Sequence, residues 1–277
     1  MNIRLLGTGA AEGIPALFCG CDICTAAAKA GGRNIRGRSC AMIGGTVMID
    51  FPPDMLAYKV RYWLDLARIS SIFFTHSHLD HLAAGELCYY HKMYSGRDDS
   101  SPALKLFGNE KVLRVINETF IFDLRYMPDC VSLNLLRAYG TVEAGGVRIT
   151  PLPAVHDPRE ECFMFLIERQ NGKVLLANDS AGFLDEVYEY LRGLHLDAVI
   201  LDCTICEHPS RVGSTHMCFE DNLNVKARLT DQGSADEGTI FISHHFSHNG
   251  GVNYDNFESL AAGTGFISSY DGMEIDI

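Results

Sequence analysis

The run Thr75-His76-Ser77-His78-Leu79-Asp80-His81 places three histidines and an aspartate within six positions. Imidazole and carboxylate are the ligands of zinc, manganese and iron. The run follows the short apolar stretch Ser71–Phe74, so it reads as a turn at the end of a buried strand. Such a turn can aim His76 and His78 one way and Asp80 and His81 another, which suits two adjacent metal ions better than one. A second cluster, Cys19-Gly20-Cys21-Asp22-Ile23-Cys24, has the C-x-C-x-x-C spacing that lets three thiolates converge on one zinc ion. A redox role fits it less well, because no thioredoxin-like C-x-x-C accompanies a βαβ pattern. Cys40, Cys88, Cys130, Cys162, Cys203, Cys206 and Cys218 lie scattered in apolar segments and read as small core hydrophobes. Isolated His195 and His208 read as ordinary polar residues.

The elements that must hold these clusters alternate strands with helices. Ile3–Leu6 reads as a first strand ending in Gly7-Thr8-Gly9. Ser39–Ile43 and Thr46–Phe51 form a hairpin about Gly44-Gly45, closed by Pro52-Pro53. Asp54 is placed to cap a helix running through Leu66. Helical spacing follows over Leu82–Tyr94, then a strand at Ala103–Phe107 and a helix capped by Asn109 through Glu118. Val147–Leu152 and Phe163–Glu168 read as strands, with Asn171-Gly172 turning the chain into Val174–Ala177. Helical spacing over Ala181–Arg192 and His216–Leu229 alternates with strands at Ala198–Leu201 and Thr239–Ser243. Phe266–Ile277 reads as a terminal hairpin turning at Asp271-Gly272. Early hairpins followed by β-α alternation predict a layered α/β protein. Asp50, His76, His156, Asp179, Asp202 and His245 each fall where a strand has just ended, the place where such sheets gather functional groups. Taken singly, His156 reads as a surface histidine, Asp179 reads equally as a helix N-cap, and His244 competes with His245.

Composition bounds the partners. The chain has 277 residues, 47% hydrophobic and 21% charged, enough for one large domain, or two small ones, with a sizeable core. With 35 acidic against 23 basic residues the formal charge is −12, which argues against a nucleic-acid partner and leaves room for a small anionic substrate beside bound cations. The opening MNIRLLGTGAAEG has no apolar signal-peptide core, and no apolar run reaches bilayer-spanning length. A soluble, cytoplasmic protein with no membrane partner is expected.

His76-x-His78-x-Asp80-His81 after a buried strand resembles the signature of the metallo-β-lactamase superfamily. The resemblance implies a four-layer αβ/βα sandwich over residues 1–277, with a zinc-knuckle insertion near 16–37. It also implies a dinuclear site: one divalent metal, zinc or manganese, on His76, His78 and His156, the other on Asp80, His81 and His245, with Asp179 bridging. Within the superfamily the chain is similar to the PhnP type, phosphoribosyl 1,2-cyclic phosphate phosphodiesterases. The likeness rests on Gly7-Thr8-Gly9 with Gly13-x-Pro15, the knuckle Cys19, Cys21 and Cys24, and Leu152-Pro153-x-x-His156. It continues through Asp179-x-Ala181-Gly182, His245-x-x-His248 and Asp271-Gly272-Met273-Glu274. In that family the final His-x-x-His gives one ligand to each site, so His248 is expected to complete a structural zinc with the three cysteines. His216, in Ser214-Thr215-His216, matches a histidine that helps expel the leaving alcohol; by type alone it is equally a polar residue near a helix start. Glu207–Ser214 and Tyr90–Ser101 depart from the family pattern, which bears on substrate identity.

The chemistry so implied is two-metal hydrolysis of a small (cyclic) phosphodiester, with Asp80 and His216 as catalytic residues, and a homodimer is compatible with it. Two rivals stay open. The knuckle is also found in PqqB-like proteins, which points to a metal protein without turnover. Gly7-Thr8-Gly9 and the histidine motif are shared with tRNase Z-like nucleases, against which the acidic charge and the knuckle stand. Thioesterases and lactonases of the glyoxalase type end in helices, whereas this chain ends in strands, and diiron redox relatives carry Glu where this chain has His78.

Overall fold

A computed structural model describes residues 1–123, 130–170, 172–210 and 213–277. The chain lays down β1 (Asn2–Gly7), then α1 (Asp22–Ala30), β2 (Cys40–Ile43), β3 (Val47–Ile49) and α2 (Met55–Tyr62). β4 (Ser71–Phe73), β5 (Leu104–Gly108), α3 (Glu110–Asp123) and β6 (Val131–Leu135) follow. The second half carries β7 (Val142–Ala144), β8 (Val147–Pro153), β9 (Phe163–Arg169), β10 (Gly172–Ala177), α4 (Asp185–Leu191) and β11 (Ala198–Asp202). α5 (Phe219–Asp231), β12 (Ile240–His244), α6 (Tyr254–Leu260), β13 (Phe266–Ser268) and β14 (Met273–Asp276) complete it.

Two seven-stranded sheets result, ordered β14-β1-β2-β3-β4-β5-β6 and β13-β12-β11-β10-β9-β8-β7. Each has the same plan. Four strands pair antiparallel, β14 to β3 in one sheet and β7 to β10 in the other, and three more then add in parallel. Parallel neighbours need crossovers, and α2, α3, α4, α5 and α6 all lie in the crossovers of the parallel halves.

Strand alternation explains how both faces are filled. Ile3 and Leu5 join Phe73, Phe107, Phe163 and Phe165 in an apolar layer between the sheets, while Leu6 faces outward with Ile72 and Phe74 against α2 and α3. On the other sheet Ile242 faces inward, while Phe241 packs outward with Phe219, Phe257 and Leu229 from α5 and α6. The four layers are those of the metallo-β-lactamase αβ/βα sandwich. Among the described residues no helix is long and apolar enough to cross a membrane.

Several expected elements differ. The helix after Pro53 stops at Tyr62, because Trp63 adopts the left-handed conformation (φ 53°). Asp54 does not cap it; its carboxylate pairs with Arg38 at 3.0 Å. Leu82–Tyr94 is only a 3₁₀ segment, Ala84–Tyr90, since the Ala83 N–H is committed to Phe51 O across the end of β3. The span from Ala181 becomes helical only at Asp185, because the Ala181 N–H donates to Val155 O and Gly182 has φ 139°. The His216 span begins at Phe219, behind a cap in which Cys218 N–H donates to Asp221 Oδ2. Asn109 does cap α3, accepting from Val112 N–H at 2.9 Å, and the helix runs on to Asp123. Gly172 pairs with Arg169, while Asn171 of the expected turn lies outside the described residues. The terminal hairpin is not one: β13 belongs to the second sheet and β14 to the first. The Asp271 carboxylate accepts from Thr8 Oγ1 at 2.8 Å and Gly37 N–H at 2.7 Å, which pins the turn to the first sheet and delivers β14 to β1.

Candidate metal centre

Side chains from the carboxyl ends of β3, β4, β8, β10, β11 and β12 converge at one edge of the sandwich. Asp50, Asp179 and His245 sit there with φ of 63°, 53° and 60°. Left-handed backbone at a non-glycine residue costs about 1–3 kcal/mol and persists only where the surroundings over-determine it. Here it turns each side chain inward as its strand ends.

Two triads form. His76, His78 and His156 bring one nitrogen each within 4.8 Å of one another, and an Asp80 oxygen and one nitrogen each of His81 and His245 lie equally close. Asp179 lies between them: Oδ1 is 3.8 Å from His156 Nε2, while Oδ2 is 3.2 Å from both His81 Nε2 and His245 Nε2. Asp80 Oδ2 lies 3.0 Å from His81 Nε2. The structure thus brings together all seven residues expected from the sequence. It also removes Asp179 from the capping role, since α4 starts six residues later at Asp185. His244 turns away between Ser39 Oγ (3.0 Å) and Ser269 Oγ (3.1 Å).

The partners of these imidazoles fix their tautomers. Thr75 Oγ1 donates to Asp50, so the His76 Nδ1–H donates to that hydroxyl at 2.9 Å. The His81 Nδ1–H donates to Asp50 Oδ2 at 2.7 Å. Thr204 Oγ1 donates to His245 O, so the His245 Nδ1–H donates to Thr204 Oγ1 at 2.9 Å. The His156 Nδ1–H donates to Thr215 O at 3.1 Å, and the His78 Nε2–H to Asp157 Oδ2 at 3.2 Å. In all five rings the second nitrogen points inward. Nε2 of His76, His81 and His245 is buried with no hydrogen-bond partner, which an apolar or hydrogen-bonded core does not tolerate cheaply. Burial and the neighbouring His81 hold His76 well below the usual histidine range, so its inward nitrogen offers a lone pair. Burial opposes charge on His81, but Asp80, Asp179 and Asp50 outweigh it and hold a proton there, the proton a metal cation would displace. Burial likewise opposes ionisation of Asp179, yet His245 and His81 keep it well below the usual carboxylate range. Orphaned nitrogens around anionic oxygens fit a pair of divalent metals.

A family model for the beta-lactamase superfamily domain matches residues 45–235. This chain belongs to that superfamily. The match takes in the histidine motif, His156, Asp179 and His216 but ends short of His245. Among solved structures the chain is similar to a diphosphatase of the PhnP family, at 23% identity, covering 100% of this chain and 97% of that one, with a TM-score of 0.76. It is also similar to zinc-bound PqqB from Methylobacterium extorquens (16% identity, 100% of both chains, TM-score 0.71). A third is human tRNase Z, short form (17%, 100% and 99%, TM-score 0.67). No curated protein matches the sequence. These likenesses carry the superfamily fold across the whole chain.

Beside the superfamily centre lies His216. Its Nδ1–H donates to the buried Asp202 Oδ2 at 2.7 Å, and its ring stacks on His245 at 5.7 Å and meets His156 edge-on at 4.9 Å. Burial disfavours its charge, but Asp202 outweighs burial and raises it to about 9. Asp179 and Asp80 add to that rise while no cation neutralises them, and cations in the neighbouring triads would oppose it.

The cysteine cluster is separate. Cys19 Sγ and Cys21 Sγ each lie 3.5 Å from His248 Nδ1, and these with Cys24 form a second group of ligand spacing. His248 Nε2 faces Glu12 Oε1 at 3.5 Å, so Nδ1 is the nitrogen free for zinc. The Cys21 thiol is pulled down to about 6 by the Cys24 backbone N–H, His248 and Cys19, while burial pushes Cys24 up to about 11. Gly7-Thr8-Gly9 joins this region to the first centre: Phe246 N–H donates to Thr8 O, and Ala10 N–H to Phe246 O. A Cβ on Gly7 would lie 2.0 Å from Arg38 O, so only glycine fits that crossing. Of the remaining cysteines, six are buried as expected; Cys130 is half-buried.

Residues that orient the ligands were only partly foreseen. Asp50 and Asp202 stood out as polar strand ends without a role. Thr75, Thr204, Asp157, Glu160 and Glu12 gave no signal.

Proposed function

We propose that this protein is a metal-dependent phosphodiesterase acting on a small phosphodiester, such as a cyclic ribose phosphate. The whole of residues 1–277 would act as one metallo-β-lactamase-fold domain, with 16–37 inserted as a zinc knuckle. The observation that carries the reading is the Asp202–His216 pair set against the His156 and His245 rings, a carboxylate-held imidazole touching both ligand triads without belonging to either.

His76, His78 and His156 would hold one divalent ion and Asp80, His81 and His245 the other, with Asp179 between. A bound pair of zinc or manganese ions acidifies water and neutralises charge on phosphoryl oxygens. The chain supplies the rest. Asp50, Thr75 and Thr204 keep the imidazoles from rotating. Asp202 accepts the His216 Nδ1–H and so orients the ring; in the charged form of that ring the Nε2 proton can pass to the departing alkoxide. Cys19, Cys21, Cys24 and His248 would bind a zinc that serves the fold alone.

Purified protein loaded with zinc or manganese should hydrolyse bis(p-nitrophenyl) phosphate and cyclic ribose phosphodiesters. Metal-loaded protein inert to both would favour the reading in which the centre binds metal without turnover. Preference for a precursor tRNA over cyclic diesters would favour a nuclease.

A further inference from the structure

The loop His156-Asp157-Pro158-Arg159-Glu160 does more than carry a ligand. Glu160 leaves only 1% of its side chain exposed, and four donors meet its carboxylate. Ser77 N–H donates to Oε2 at 3.0 Å and Ser77 Oγ to Oε1 at 2.7 Å. Asn109 Nδ2 donates to Oε2 at 2.9 Å and Lys111 Nζ to Oε1 at 3.1 Å. Ser77 is the residue between His76 and His78, so the carboxylate grips the middle of the turn that presents both. On the same loop Asp157, itself held by the Arg159 guanidinium at 2.8 Å, accepts the His78 Nε2–H. That bond leaves His78 Nδ1 facing His156 Nε2 at 3.2 Å.

One five-residue loop therefore brings the third imidazole of a triad and fixes the turn bearing the other two. A buried carboxylate is costly unless fully paired, and this one is paired on the ligand turn and on the start of α3 together. Loss of an acceptor oxygen would leave the Ser77 and Asn109 or Lys111 donors competing, and the turn would be free to swing.

We infer that Glu160 is the positioning residue of the His76/His78/His156 half of the centre, setting its metal affinity without touching the metal. This rests on the reading that these three histidines bind a metal ion. The test is competition of cobalt(II) against a chelator on the full-length protein, with the metal-free melting temperature measured alongside. Thiolate-to-cobalt bands report the knuckle and ligand-field bands the imidazole sites. Glu160→Gln should weaken one cobalt equivalent about 10–100-fold, the range for ligand-orienting partners, with the thiolate bands and the other imidazole equivalent as in the parent. Ser77→Ala, which removes one of the four donors, should weaken the same equivalent, by less than Glu160→Gln does. If Glu160→Gln does not fold, Ser77→Ala must show that selective loss by itself. Unchanged cobalt binding in the variant overturns the inference, as does an equal weakening of every equivalent with a lower metal-free melting temperature. His78→Ala run in parallel separates the two levels: if it too binds cobalt like the parent, the metal reading itself has failed.

Discussion

The histidine–aspartate centre and the cysteine knuckle offer the same kind of ligands in two different states of readiness. In the first, His76, His81, His245, Asp80 and Asp179 are buried, and every imidazole has its outward nitrogen tied to a threonine, a carboxylate or a backbone carbonyl. In the second, Cys21 is exposed, Cys19 and His248 are half-buried, and the sulfur-to-nitrogen approaches are 3.5 Å. The protein itself shapes the first centre before any cation arrives, at the expense of strained backbone at Asp50, Asp179 and His245. At the knuckle Cys24 is buried and accepts from Ala16 N–H, but Cys19 and Cys21 lie nearer solvent, as His78 and His156 do at the first centre. Metal binding at the first centre would thus leave its free energy for affinity and chemistry, and at the second it would become folding free energy.

That contrast can be broken at several points. Asp179→Ala has the largest expected effect, because it removes the one carboxylate facing both triads: turnover should fall to background, a loss of more than roughly 10³-fold on the scale of lost transition-state electrostatics. Elemental analysis should show fewer catalytic metals with the knuckle zinc retained. Full activity in metal-stripped buffer would sink the two-ion arrangement. His216→Ala comes next. A positioned acid contributes about 10²–10⁴-fold, so an alkyl or ribose diester should slow by that factor and a p-nitrophenyl diester far less. Equal losses on both would reassign His216 to substrate binding, and lost metal would make it a ligand. Asp50→Asn should lower metal affinity at the Asp80/His81/His245 triad by about 10–100-fold, measured by chelator competition; if affinity holds, the centre is not pre-shaped by its hydrogen bonds. Cys21→Ser should have the mildest effect. Losing about 2 kcal/mol of metal-linked stability should lower the melting temperature by roughly 4–8 °C, with catalytic metals undisturbed. An unchanged melting temperature and zinc content would make the cysteines bystanders.

The sequence marked the candidate ligands and hid what holds them. His76 to His81 declare themselves because four metal-competent side chains crowd six positions. Asp50 and Asp202 could be suspected only as polar residues at strand ends, since their partners His81 and His216 lie 31 and 14 positions away. Glu160 was invisible: its four donors come from Ser77, Asn109 and Lys111, 83, 51 and 49 residues distant, and nothing local distinguishes it from a surface glutamate. Strands with strong alternation or continuous apolar runs were legible. Helix starts were less so, because side-chain spacing says nothing of a backbone N–H claimed elsewhere, as at Ala83 and Ala181. The Asp271-Gly272 turn misled for a related reason. Its residue types suit a hairpin, but the Asp271 carboxylate answers to Thr8 and Gly37 on the other sheet.

β1 sits inside its sheet, with β2 on one side and β14 on the other, and Asn2 pairs with Asp276. On the ribosome these partners are separated in time. At about 5–20 residues per second, β14 leaves the tunnel roughly 15–55 s after β1. Through that interval the β14-facing edge of β1 stays open, a row of unpaired amides and carbonyls beside the apolar Ile3 and Leu5, and a template for another nascent chain. The residues that close it lie 274 positions further along the chain, so this edge is the part of the first sheet protected latest.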